Sequence, residues 1–335
     1  MGKAPKLEMN RTIMNRTFWK SIFVTVSLCA GTLVATAAPL QRADVAADPA
    51  WLLHLDFDAF RQTTMGQYIL SEMDKPEAKA RLDILQSIFS FDPRTQLHDA
   101  TLYGTTSKPE DGVLIVYADF DPDKLVTLAK AAKDHQTIEH GKHVIHTWID
   151  DKKKDKKDGT DGPHRVYAAI DGKRVIFGQR ESAVEAALLV LDGTTPNLAS
   201  GDTFADLGKP GTANFIEGAA RKLDLKDSDP KAAMLKFSKT VELVVNEKEK
   251  QVQGRLTLVA DNDEVAGHIL SIAQGIQALM KFDTSKPDTL RFANAINIAQ
   301  DGARVIGTIT LPSTDVVEIM KHGAEKKKEK KESEE

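Results

Sequence analysis

The chain has 335 residues, with 45 Lys and Arg against 49 Asp and Glu, a formal net charge of −4 and a single cysteine. Near-balanced charge with an apolar content of 41% describes a globular protein and argues against a basic nucleic-acid-binding surface. One cysteine excludes an internal disulfide and any thiolate cluster.

The first segment concerns export. Lys3, Lys6, Arg11, Arg16 and Lys20 precede an apolar run over residues 21–34, followed by Ala35-Thr36-Ala37. Basic, apolar and small-residue segments in that order predict a signal peptide over residues 1–37 with cleavage after Ala37, and Met9 and Met14 are alternative starts. The expected location is outside the cytoplasm, periplasmic or extracellular. Left uncleaved, residues 21–38 lie at the short limit of a membrane span, about 18 residues, and membrane contact is expected only through this segment. Leu28, not a small residue, precedes Cys29, which disfavours lipid attachment there. The leader carries five basic residues and one acidic one, so its removal leaves a cysteine-free chain of net charge −8.

Three later segments share one order: an apolar strand, an Asp-rich corner and an amphipathic helix. Residues 51–55 run into Asp56-Phe57-Asp58, residues 113–118 into Asp119-Phe120-Asp121-Pro122, and residues 255–260 into Asp261-Asn262-Asp263. After the last, Val265, Ile269, Ile272, Ile276 and Leu279 recur at helical spacing. A looser copy runs from residue 305 through Pro312-Ser313-Thr314-Asp315. Asp171-Gly172 and Asp301-Gly302, each between two β-like runs, predict type I′ hairpins. Ser182 and Glu185 have the spacing of a capping box for a helix carrying Val184, Ala187, Leu188 and Leu191.

These patterns predict an α+β fold: antiparallel sheets with helices packed on one face, in two similar halves of repeated strand–strand–helix modules. Gly193, Pro196, Gly201, Gly208, Pro210 and Gly211 mark a boundary. The expected organisation is a first α+β domain over 38–200, a second over 212–323 and a charged tail over 324–335, with one continuous domain as the alternative. Residues 150–163 are wholly polar apart from glycine and proline, and read as a solvated loop.

Few residues suggest chemistry. The Asp pairs 56/58, 119/121 and 261/263 offer paired oxygens to a hard cation, but each stands where a helix begins, where Asp serves as an N-cap. His140-Gly141-Lys142-His143 reads as a two-residue turn that sets His140 beside His143, with His146 on the other face. His140 and His143 are therefore the candidate metal ligands, for Zn²⁺ or Cu²⁺, with His164 or Glu139 as a third ligand; an exposed polar hairpin tip explains the same residues. Ser228-Asp229-Pro230-Lys231 matches S-x-x-K without its partner motifs. No catalytic residue and no cofactor is implied.

The leader, the strand–Asp–helix corners and the phrase RVYAAIDGKRVIFGQRESAVEAALLVLDG resemble exported bacterial proteins of unknown function built from repeated strand–strand–helix modules. The resemblance is structural; it implies location and architecture, and carries over no site residue.

The resulting expectation is a cell-envelope protein acting as a non-enzymatic binding or interaction module for an unknown envelope protein or ligand. Two alternatives stand beside it. One is an envelope hydrolase using Asp and His groups that converge in a pocket. The other is a carrier of an apolar ligand held between sheet and helices, near Phe177, Ile269 and Leu279.

Overall fold

The computed structural model describes residues 38–150, 164–209, 211–221, 235–282 and 287–334, with side chains through Lys326. The predicted signal peptide, most of the polar loop and the S-x-x-K match lie outside the described residues. Residues from Ala37 onward form one compact unit.

Twelve strands build one antiparallel sheet: β1 Trp51–Asp56, β2 Leu97–Gly104, β3 Gly112–Ala118, β4 Gln136–His140, β5 His143–Ile149, β6 Arg165–Asp171, β7 Arg174–Gly178, β8 Asn214–Arg221, β9 Ser238–Lys248, β10 Gln251–Ala260, β11 Ile296–Asp301 and β12 Arg304–Pro312. Their spatial order is β11-β12-β10-β9-β8-β1-β2-β3-β7-β6-β5-β4. The sheet runs without interruption across the Gly- and Pro-rich stretch at 192–212, because β8 pairs with β1 on one side and β9 on the other. Nine helices complete the described fold: α1 Phe57–Arg61, α2 Thr64–Met73, α3 Pro76–Phe89, α4 Pro93–Gln96, α5 Pro122–Lys130, α6 Glu181–Leu191, α7 Asp263–Phe282, α8 Pro287–Ala295 and α9 Ser313–Glu334. The α+β class stands, and the charged tail continues α9 as helical backbone to Glu334.

Strand register assigns side chains to the two faces, because paired residues share a face and neighbours alternate. Leu258 opposite Val305, Ile216 opposite Val245, Leu55 opposite Ile216 and Val116 opposite Val175 trace one continuous face through the sheet. Ala266 and Ile269 of α7, Val316 and Met320 of α9, and Leu125 of α5 all meet this face. The opposite face takes α6 and the segments 40–46 and 198–207, whose Val184, Leu188, Leu40, Val45, Leu198 and Leu207 pack on Ile115, Ile145 and Ile176. Helices on one face alone is thus corrected at α6. The chain reverses at Gly178, with Val184 of α6 lying where any side chain at Gly178 would be, and this carries the helix to the far side.

Polar tethers seal that far side. The Arg42 guanidinium donates to the carbonyls of Phe204, Leu207, Leu198, Gly201 and Thr203. Glu217, 2% exposed, accepts from the Gly208 amide and the Asn214 side chain. His54, 1% exposed, lies 2.9 Å from Thr101 Oγ1 and 3.0 Å from the Ala38 carbonyl. Burial lowers its pKa to about 4, so the ring is neutral; Nε2–H donates to Ala38 and Nδ1 accepts from the hydroxyl.

Local chemistry departs from expectation at three places. The two Asp-Gly hairpins turn one residue later, since Asp171 pairs with Arg174 and Asp301 with Arg304. Gly172 and Gly302 then stand first in each loop, and they alone in those turns have positive φ, so neither is type I′. The capping box fails: Arg180 is the N-cap without a side-chain bond, and Glu185 turns to His140. The turn with two left-handed residues is instead Glu249-Lys250, φ 52° and 60°, between β9 and β10. Left-handed backbone costs a residue with a Cβ about 1–2 kcal/mol. Replacing the pair by Asn-Gly is expected to stabilise the protein by about 1–2 kcal/mol. The check is a denaturant titration, with a higher midpoint at unchanged slope.

Candidate functional site

Two clefts open on the same face of the sheet, one on each side of β1 and β8. The larger, about 410 Å³, lies between α7 and α8 and the strands β9 to β12. Ala273, Ile276 and Phe292 form its helical wall; Leu243, Leu256 and Ile298 are among the strand residues beneath. Its surface is almost entirely apolar, although Arg255 and Thr308 reach its rim. Gly307 contributes no side chain to the floor, and a Cβ there would meet nothing closer than 3.9 Å. A cleft of this volume lies within the usual range of small-molecule sites.

The second cleft, about 350 Å³, lies under Phe89 of α3 and Leu125 and Leu128 of α5, against β5, β6 and β7. Neither α3 nor α5 buries a residue fully, and Ile84, Leu85 and Ile88 of α3 are exposed. His146 and Trp148 carry the polar atoms of this lining; the remaining side chains are aliphatic or phenyl. His146 is 5% exposed, and its Nδ1 lies 3.0 Å from Nε2 of His135, the two rings being stacked. Burial first, then the neighbouring His135 and Lys130, lower the His146 pKa.

The residues named for an apolar cavity separate. Phe177 lines the second cleft, Ile269 is sealed in the core under α7, and Leu279 is 71% exposed at the far end of that helix.

The Asp corners have structural partners. Asp56 caps α1 through the Ala59 amide and Asp121 caps α5, with Pro122 at its first position. The third corner caps through Asn262 instead, which accepts from the Val265 amide. Side-by-side placement of β1, β2 and β3 brings two corners together through His98 of β2, a residue the sequence patterns did not single out. Its Nδ1 lies 2.8 Å from Asp58 and its Nε2 3.1 Å from Asp119, while Arg61 and Lys173 pair with the outer carboxylate oxygens. With both nitrogens on carboxylates, the ring is held as an imidazolium: burial opposes the charge, the two acids outweigh it, and the pKa is raised. A ring with no free nitrogen ties the corners together and offers no base to a substrate.

His140 and His143 sit side by side in register, as the turn predicts, and His146 faces the other way. Each of the pair is taken by a carboxylate of the α6 segment: His140 Nδ1 lies 3.2 Å from Glu185, and His143 Nε2 lies 3.0 Å from Asp192. Neither His164 nor Glu139 joins them, and among the described residues no cluster of three or more His, Cys, Asp or Glu side chains is arranged to hold a metal.

No protein-family model matches this chain, and no curated protein matches it. Solved structures of TP0453 resemble it distantly: crystal form I at 13% identity and TM-score 0.43, covering 86% of this chain and 99% of that one, and form III at 14% and 0.43, covering 84% and 98%. Form IV gives 14% identity and a TM-score of 0.39. Likeness at this level carries no argument about function.

One titration follows from the far side of β2. Asp99 lies opposite Asp56, and burial, then the charges of Asp56 and Asp44, raise its pKa to about 7. A raised carboxylate makes the folded state bind more protons between about pH 4 and 7, so its contribution to stability falls as pH rises through that window. Asp99→Asn is expected to raise the melting midpoint at pH 8, by an amount worth on the order of 1–2 kcal/mol. The gain is expected to shrink toward zero at pH 4 in a thermal melt series.

Proposed function

We propose that this is an exported, non-enzymatic protein that binds an apolar small molecule between its sheet and its helices. The observation that carries the reading is the cleft of about 410 Å³ under α7 and α8, walled on both sides by hydrocarbon. Apolar space of this size gains free energy when an apolar ligand replaces its weakly held water, and it falls within the usual size of ligand pockets. The basic leader and the Ala35-Thr36-Ala37 site support export. The hydrolase alternative needs acid–base groups converging in a pocket, and the linings of both clefts contain no Asp or Glu.

The strand order supports a reading of the chain as two related arms. Outward from the central pair, one arm runs β1-β2-β3-β7-β6 and the other β8-β9-β10-β12-β11, with the β4–β5 hairpin added to the first. Each cleft lies at least partly under a helix that follows the third strand of its arm, α5 in the first and α7 and α8 in the second, so a binding space recurs at corresponding places.

The test is titration with a neutral fluorescent hydrocarbon, diphenylhexatriene, whose emission rises in apolar surroundings. Saturable binding is expected, and Gly307→Val is expected to weaken the larger site about tenfold by filling its floor. The same substitution places a β-branched residue in a strand, so the melting midpoint should not fall. Emission that rises without saturation, or binding indifferent to Gly307→Val, would sink the assignment.

A further inference from the structure

The larger cleft has polar side chains only in Arg255 and Thr308, whereas the second contains a buried imidazole. Four other histidines have a carboxylate supplied by the protein: His98 has Asp58 and Asp119, His140 has Glu185, His143 has Asp192 and His322 has Asp288. The His135–His146 pair has none among the described residues, and the charged side chain next nearest to His146 in effect is the cation Lys130. The cleft thus presents one buried imidazole, backed by a second, with no protein carboxylate beside it among the described residues.

The hydrogen-bond inventory says where that anion belongs. A neutral imidazole has one N–H and one bare nitrogen. If His135 donates from Nε2 to Nδ1 of His146, then His146 carries its own proton on Nε2. That nitrogen has no hydrogen-bond partner among the described residues, and its side chain lines the cleft. An oxyanion at Nε2 selects this tautomer, and the field of the Lys130 ammonium favours it.

We propose that the second cleft binds a single-chain apolar molecule with a carboxylate head, the chain lying against Leu125, Leu128 and Phe177 and the head accepting a hydrogen bond from His146. This rests on the apolar-ligand reading above and extends it to a ligand class. His135 is a positioning residue, which fixes the tautomer without lining the cleft.

Trp148 lines the same cleft, so its fluorescence reports occupancy, and loss of the signal in Trp148→Phe assigns it to this site. The experiment titrates the purified protein with oleate and with methyl oleate, which share the chain and differ in the charge of the head. Oleate is expected to bind about tenfold tighter, the usual worth of a hydrogen bond to a charged group. His146→Leu is expected to bring the ratio of acid to ester affinity close to one. His135→Ala, at a half-buried position outside the lining, is expected to reduce the ratio as well, and serves if His146→Leu does not fold. Equal affinity for acid and ester, or a preference that survives both substitutions, overturns the carboxylate assignment and leaves apolar binding standing. Silence of Trp148 with both ligands, while diphenylhexatriene still saturates the larger cleft, overturns the proposal for this cleft alone. Failure of all three ligands to bind overturns the apolar reading and this one together.

Discussion

β1 and β8 are hydrogen-bonded from Trp51 opposite Ala220 to Leu55 opposite Ile216, and this ladder joins two arms into one sheet. Everything that covers the sheet must then fit one of two shared faces. On one face, α6 and two irregular segments fill the space closely. Arg42, His54 and Glu217 hold those segments by bonds to backbone groups that would otherwise be buried without partners. The other face falls to the remaining helices, rigid cylinders laid across a twisted surface. They touch it along ridges and leave spaces between, and the two clefts are those spaces.

The same constraint separates the histidines by role. Where strand alternation points a ring toward α6, as at His143, the helix supplies an acid and the ring becomes part of the structure. Where alternation points it to the other face, as at His146, the ring meets another imidazole at the edge of an apolar space. Three residues of sequence separate these two environments. His98 shows a third outcome, in which two strand-end corners converge on one ring and hold it charged.

Much of the fold was legible. The strands of the two Asp-Gly hairpins, the apolar stripe of α7 and the caps at Asp56 and Asp121 follow from local periodicity and short-range hydrogen bonding, which a single segment contains. The strand alternation that sets His140 and His143 on one face and His146 on the other is likewise local, and it holds in register. Less visible was β2, whose Leu-His-Asp-Ala-Thr-Leu lacks clear alternation: His98 has its partners in the corners that follow β1 and β3, and Asp99 lies partly buried opposite Asp56. The glycine-free turn at Glu249-Lys250 gave no turn signature, since tertiary pairing of β9 with β10 overrides the backbone preference of both residues.

By itself the sequence determined the class: antiparallel strands and amphipathic helices, no cysteine beyond residue 29, and which side chains in each strand share a face. Those are properties of neighbours, set by backbone period and turn chemistry. Only the tertiary structure decided that one sheet runs through both arms, that α6 crosses to the far face, that His146 meets His135, and that Ile269 is sealed while Leu279 is left in solvent. These depend on pairings between residues far apart in the chain. The clefts depend on them most of all, since an empty space is defined by walls on separate elements and leaves no pattern in any one of them.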